Sequence, residues 1–297
     1  MLRCAALASL ALFVASAPVR AQTAPDDEPI IIQGTANTQK QIDDFVKQLT
    51  ANNSGDQLGR FVAPFCPRVI GLPPEDNELV TGRMRKVAAA VGAPVAPEKC
   101  TIDAYVIVGG DKREIIEGIR KQFGSLVDGV PGSVLKRVEA APGPVAAWQI
   151  VGRIGSDGMP LTTVSTSSDT TPIAMSNSVG WASRIADVTR PQFLGSILVV
   201  EGKALNGVDT RQLADYAAMR LLAPTDTTHR TAVAAPSIIK LFDPGTTPDT
   251  APASVTWWDF AFLKALYASS NDVNAWQQRG EMARKMKKEL SKVPPQP

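Results

Sequence analysis

The sequence predicts an α+β fold in which a strand/helix alternating N-terminal layer is followed by a mainly helical C-terminal part. Three observations carry that expectation. Strand-type and helix-type hydrophobic spacings alternate three times between residues 30 and 123. Two further β runs lie at 145–153 and 196–201, and the chain closes on helical stretches that begin near residues 209, 256 and 275.

The elements follow in order. Ile30-Ile31-Ile32 is a short β-branched run, and Ile42, Phe45, Val46 and Leu49 then recur at helical spacing until the turn Asn52-Asn53-Ser54-Gly55. A strand signal spans 60–72, broken at Pro64 and Pro67. Leu79, Val80, Met84, Val87 and Val91 mark a second helix that Gly92 and Pro94 stop. Residues 104–108 read as a buried strand. Asp111 caps a helix carrying Ile115, Ile116, Ile119 and Phe123. Residues 124–144 are rich in Gly and Pro around a short helix at 133–140 and mark a boundary between an N-terminal α/β unit (29–125) and a C-terminal α+β unit (145–292), which can be one continuous domain. Gly, Ser, Thr and Pro dominate 155–180, which suits hairpins or an exposed loop. After the strand at 196–201, Asp209 or Thr210 caps a helix with Leu213, Ala217, Leu221 and Leu222 on its apolar face, ended by Pro224. A Pro/Thr-rich linker, an aromatic helix from Trp257 to Ala268 and a last helix at 275–292 complete the chain.

Composition sets the compartment expectation. The first 21 residues read as a signal peptide, with basic Arg3, an apolar run from Ala5 to Ala17 and a cleavage site after Ala21; the run is too short for a transmembrane span, so no such segment is expected after cleavage. Residues 22–28 read as a disordered lead-in. Cys4 leaves with the signal, and Cys66 and Cys100 remain as one pair with one connectivity in an oxidising compartment. Each stands at the entrance of a strand, so a bond between them is reasonable if those strands are parallel neighbours. The chain has 31 basic and 29 acidic residues; loss of Arg3 and Arg20 brings the charge to zero, which removes the global field that nucleic-acid binding needs.

Most familiar chemistry is excluded by residue counts. One histidine, His229, cannot supply a multi-imidazole metal centre, and its Thr/Pro-rich surroundings offer nothing to orient the ring for a serine triad. Ser133…Lys136 and Ser237…Lys240 have the Ser-x-x-Lys spacing of penicillin-recognising acyl enzymes, but the partner motifs are missing. No Gly-rich phosphate loop and no cofactor motif is present, so no cofactor and no metal are expected. The strand and helix from Ser196 to Ala223 resemble the metal-presenting unit of zincin peptidases. In that register Asp215 and Met219 take the imidazole positions and Tyr216 the general-base position, a poor zinc set that leaves only a degenerate, zincin-like relative. Arg184, Asp215, Tyr216, Met219 and Trp258 form the candidate cleft, against the plainer reading of a helix packed on its sheet. The last helix carries Arg279, Arg284, Lys285 and Lys288 as a candidate docking surface for an acidic partner.

Several stretches together, Cys66-Pro67…Gly71-Leu72, Cys100, Ser183-Arg184, Gln212 to Met219, Pro236-Ser237-Ile238 and Trp258-Asp259…Phe262 to Tyr267, resemble a group of uncharacterised exported proteins of alphaproteobacteria, over about residues 60–290. The resemblance implies a Gram-negative periplasmic setting and a shared disulfide, with no catalytic residue to transfer. The expectation is therefore a periplasmic or secreted protein that binds a periplasmic protein or a small ligand without catalysis; a hydrolase-like protein with a cleft at Asp215, Tyr216 and Met219 is the alternative.

Overall fold

A computed structural model of the chain describes residues 39–50, 57–164, 173–175, 189–225, 235–270 and 273–292. The expected signal peptide, lead-in and Ile30–Ile32 run, together with Arg184 and His229, lie outside the described residues.

Four of the described helices begin where a side chain accepts from their first N–H groups. α1 (Gln39–Leu49) buries Ile42, Phe45, Val46 and Leu49, the stripe its spacing predicts. α2 (Pro74–Ala90) opens with proline at its first position, where no N–H is needed. In α3 (Lys112–Gln122) the Asp111 carboxylate accepts from the N–H groups of Arg113 and Glu114. α4 is Gly132–Ala140. Reciprocal capping boxes start the last three helices: Asp209 with Gln212 for α5 (Thr210–Leu222), Thr256 with Asp259 for α6 (Trp257–Tyr267) and Asn274 with Gln277 for α7 (Ala275–Leu290).

The strands are β1 (Arg60–Phe61), β2 (Pro67–Ile70), β3 (Ala104–Gly109), β4 (Val145–Gly155), β5 (Thr162–Val164), β6 (Ile173–Met175) and β7 (Thr189–Glu201). β7 is central: β3 and β1 pair with it in parallel along one side, β2 continues the sheet beyond β3, and β4 runs antiparallel along the other side. β5 and β6 form a separate antiparallel pair. Strands of the two sequence-defined units, 29–125 and 145–292, therefore share one sheet.

Alternation along the strands distributes side chains to two layers. Val106, Val108, Val145, Leu198 and Val200 belong to the larger core with α1, α2, α5, α6 and α7. Trp148, Ile197 and Val199 face the other way, onto Ile116 and Ile119 of α3 and Leu135 of α4. Helices thus cover both faces of a largely parallel sheet. β2 and β3 are parallel neighbours with Pro67 opposite Ala104, so the two strand entrances coincide and Cys66 and Cys100 are bonded with their Cα atoms 6.1 Å apart.

Two details depart from the sequence expectation. β7 starts seven residues earlier than the run at 196–201, passing through Pro191 and Gly195. Leu79 and Phe123, placed on buried stripes by spacing, are exposed because the neighbouring positions Val80 and Ile119 complete those faces.

Candidate functional site

Four of the five residues expected to line a cleft are core residues. Asp215, Tyr216 and Met219 are wholly buried on α5 and Trp258 nearly so. The Asp215 carboxylate accepts from Arg83 Nε at 2.8 Å and Nη2 at 3.0 Å, from Ser254 Oγ at 2.7 Å and from the Val255 N–H at 2.7 Å. It is a clamp that ties α5 to α2 and to the segment before α6. Tyr216 stands edge-on to Phe242, and Trp258 packs on Phe45. The expected cleft is therefore filled with packed side chains, because α5 is buried around its whole circumference between the sheet and its neighbouring helices.

The Ser-x-x-Lys pairs are placed as plainly. Ser237 is buried, donates to the Asp259 carboxylate and accepts from the Ile239 N–H at 3.2 Å, so it caps a turn. Burial of Asp259 pushes its carboxyl above the ordinary value, against hydrogen bonds from Ser237, Ile238 and Thr256 that favour the charge. Ser133 and Lys136 lie exposed on α4. Of the basic positions on α7, Arg279 turns inward to Thr50 Oγ1 at 3.1 Å and the Ala275 carbonyl at 2.9 Å, and Lys285 pairs with Glu281 at 3.3 Å. Arg284 and Lys288 are exposed. The opposite face of α7 is packed through Met282, Ala283, Met286 and Leu290, and Trp257 is stacked on Phe260 while its indole donates to the Glu289 carbonyl. Among the described residues no three His, Cys, Asp or Glu side chains cluster as metal ligands, and no helix is long and apolar enough to cross a membrane.

A cavity of about 430 Å³ lies elsewhere, around the outer edge of β4, within the range of small-ligand sites. One wall is α4 and the turn before it, with Val130, Pro131, Val134, Arg137 and Val138. The opposite wall is the end of α5, with Arg220, Pro224 and Thr225. The floor is β4 itself, through Ala147, Trp148, Gln149, Val151 and Arg153, and one end reaches Gln57, Gly59, Pro191 and Phe193.

The electrostatics of this cavity are one-sided. Arg137, Arg153 and Arg220 line it and, among the described residues, no acidic side chain does. Arg220 is 2% exposed, with its guanidinium 6.0 Å from the Tyr216 ring centroid. Gln149 holds the end of α5 to β4 by donating to the Arg220 carbonyl at 2.9 Å. Arg153 is steadied by Thr189, through Oγ1 at 2.8 Å and the carbonyl at 3.1 Å. Trp148 fixes the α4 wall, its indole N–H donating to the Leu126 carbonyl at 2.9 Å. Arg60, next to Gly59, turns away to Ser269, and burial pushes its guanidinium down to about 10. The three cavity arginines come from separate elements, so no local spacing in the sequence marks them as a set.

No protein-family model, curated protein or solved structure matches the chain.

Proposed function

We propose that the protein is an exported, periplasmic or secreted binding protein that takes an anionic, carboxylate-bearing ligand, free or carried by a periplasmic protein, in the cavity beside β4. The observation that carries the reading is the set Arg137, Arg153 and Arg220 on one cavity, with no acid lining it among the described residues. A guanidinium offers a planar fork of donors matched to carboxylate geometry, and a partly enclosed site strengthens such contacts relative to open water. The apolar wall of Val130, Val134 and Val138 supplies area for the rest of the ligand. Export is supported by the leader-like first 21 residues and by the paired Cys66 and Cys100.

Calorimetric titration tests the binding reading with matched acidic and basic peptides and with glutarate. Acidic ligands should bind, weaken as salt is raised, and lose about tenfold or more in affinity on Arg137→Glu. Equal binding of the basic peptides, or no effect of Arg137→Glu, would overturn it. Location is tested separately by sequencing the N-terminus of the native protein. A start at Gln22 in the extracytoplasmic fraction is expected, and an intact leader in the cytoplasm would refute export.

A further inference from the structure

The backbone of β4 adds a second kind of recognition to the same cavity. The Glu201 N–H donates to the Pro144 carbonyl at 2.9 Å, and the register sets Val145 opposite Val200. Pro144 therefore occupies a hydrogen-bonded position of the antiparallel ladder, and so do Ala146, Trp148 and Ile150 by alternation. The N–H and C=O groups of Ala147 and Gln149 point the other way, toward the outer edge. At the bulge the extra residue is Leu194 of β7, so alternation along β4 continues and Val151 and Arg153 also face outward. These four residues are the β4 positions that line the cavity together with Trp148. Among the described residues β4 pairs with β7 alone.

We propose that the cavity receives an extended acidic peptide as an added strand along β4. The proposal rests on the anionic-ligand reading above and deepens it by naming the ligand class. Edge strands recognise peptides in this way because the backbone supplies affinity while alternate side chains supply selectivity. The walls specify the alternation. Side chains of the added strand that point to the α5 side meet Arg220 and Arg153, and those that point to the α4 side meet Val134 and Val138, with Arg137 on the same helix. An acidic residue at every second position, interleaved with β-branched apolar ones, matches the arginines on the α5 side and the valines on the α4 side. Pairing of β4 with β4 of a second copy would instead bring two sets of arginines together, which like-charge repulsion opposes.

The test uses the full chain and an acetylated, amidated octapeptide of alternating Glu and Val. Its counterparts are a Lys-Val peptide, a Glu-Val peptide N-methylated at alternate amides, and glutarate. The Glu-Val peptide should bind and slow amide exchange at Ala147, Gln149 and Val151, whose protection in the free protein should be lower than that of Ala146, Trp148 and Ile150. N-methylation of the peptide should weaken binding by about tenfold or more, as should Arg153→Glu. Val151→Pro removes an outward N–H that the β7 ladder does not use, and should weaken the peptide but not glutarate. Arginine-dependent glutarate binding, with no amide protection by the peptide, would overturn strand addition and leave the anion site standing. Indifference to Arg153→Glu, or binding of the Lys-Val peptide, would remove both. Self-association that protects the same amides would replace the peptide with a second copy.

Discussion

Asp215 gives the sharpest distinction between a core group and a site group, because the two roles predict different losses. Its carboxylate is wholly buried and accepts four hydrogen bonds, two of them from the Arg83 guanidinium, whose side chain is 20% exposed. Asp215→Ala takes the counter-charge from a largely buried cation and the acceptor from the Val255 N–H, a loss of about 3–5 kcal/mol. For a domain of this size each kcal/mol moves Tm by roughly 2–4 °C, so a fall of about 10 °C is expected. Urea denaturation followed by far-UV circular dichroism, with the disulfide intact, measures the difference directly. The double variant Arg83→Met, Asp215→Leu separates pairing from packing. Replacing both charges with apolar groups removes the desolvation cost along with the pair, so it should be more stable than either single variant. Ligand binding at the β4 cavity should be unchanged in folded protein. An Asp215→Ala variant within about 1 kcal/mol of the parent, or a double variant no better than the worse single one, would refute the clamp.

Three further outcomes follow from named contacts. Cys66 and Cys100 close a loop with a sequence separation of 34, so replacing both with Ala should cost about 3–4 kcal/mol in urea unfolding; an unchanged midpoint would show that the bond does not constrain the unfolded chain. Gly71 has φ +98° and a Cβ there would stand 1.9 Å from the Val108 carbonyl oxygen, whereas Gly92 at φ +82° has open space around it. Gly92→Ala should therefore cost roughly 1–2 kcal/mol from backbone strain and Gly71→Ala distinctly more; equal costs would remove the steric argument. Desolvation raises the Glu281 carboxyl, but the Ser270 N–H and hydroxyl and the Lys285 ammonium outweigh it and hold the group below its ordinary 4.5. Its native value lies below its unfolded value, so its contribution is present above about pH 5 and is lost as pH falls below that ordinary value. Glu281→Gln should flatten this acid limb of the stability curve, and an unaltered limb would show that Glu281 does not contribute to it.

Local patterns made the elements legible, and tertiary context decided their extents. The α1 stripe and the Asp111 cap need only residues within one or two turns, and both stand as their spacing predicts. The beginning of β7 was hidden because Pro191 and Gly195 read as strand breakers. In the sheet Pro191 stands opposite Arg153, whose backbone groups face outward, so the β4 ladder loses no bond to the proline.

The site failed to show in the sequence for a related reason. The local pattern at Gln212 to Met219 predicts a cleft on α5, yet polarity in a helix does not tell a cleft from a buried clamp. Asp215 needed Arg83, Ser254 and Val255 from two other segments before its role was defined. Arg137, Arg153 and Arg220 individually look like solvated surface cations. Only the pairing of β4 with β7, and the packing of α4 and α5 on opposite faces, turns them toward one space. A weak trace is present in β4, where the run from Val145 reads as a strand while Gln149 and Arg153 in the same stretch are unsuited to full burial. That combination suits an edge strand with an outward backbone: an apolar start held in the core, and exposed positions at Val151 and Arg153 farther along.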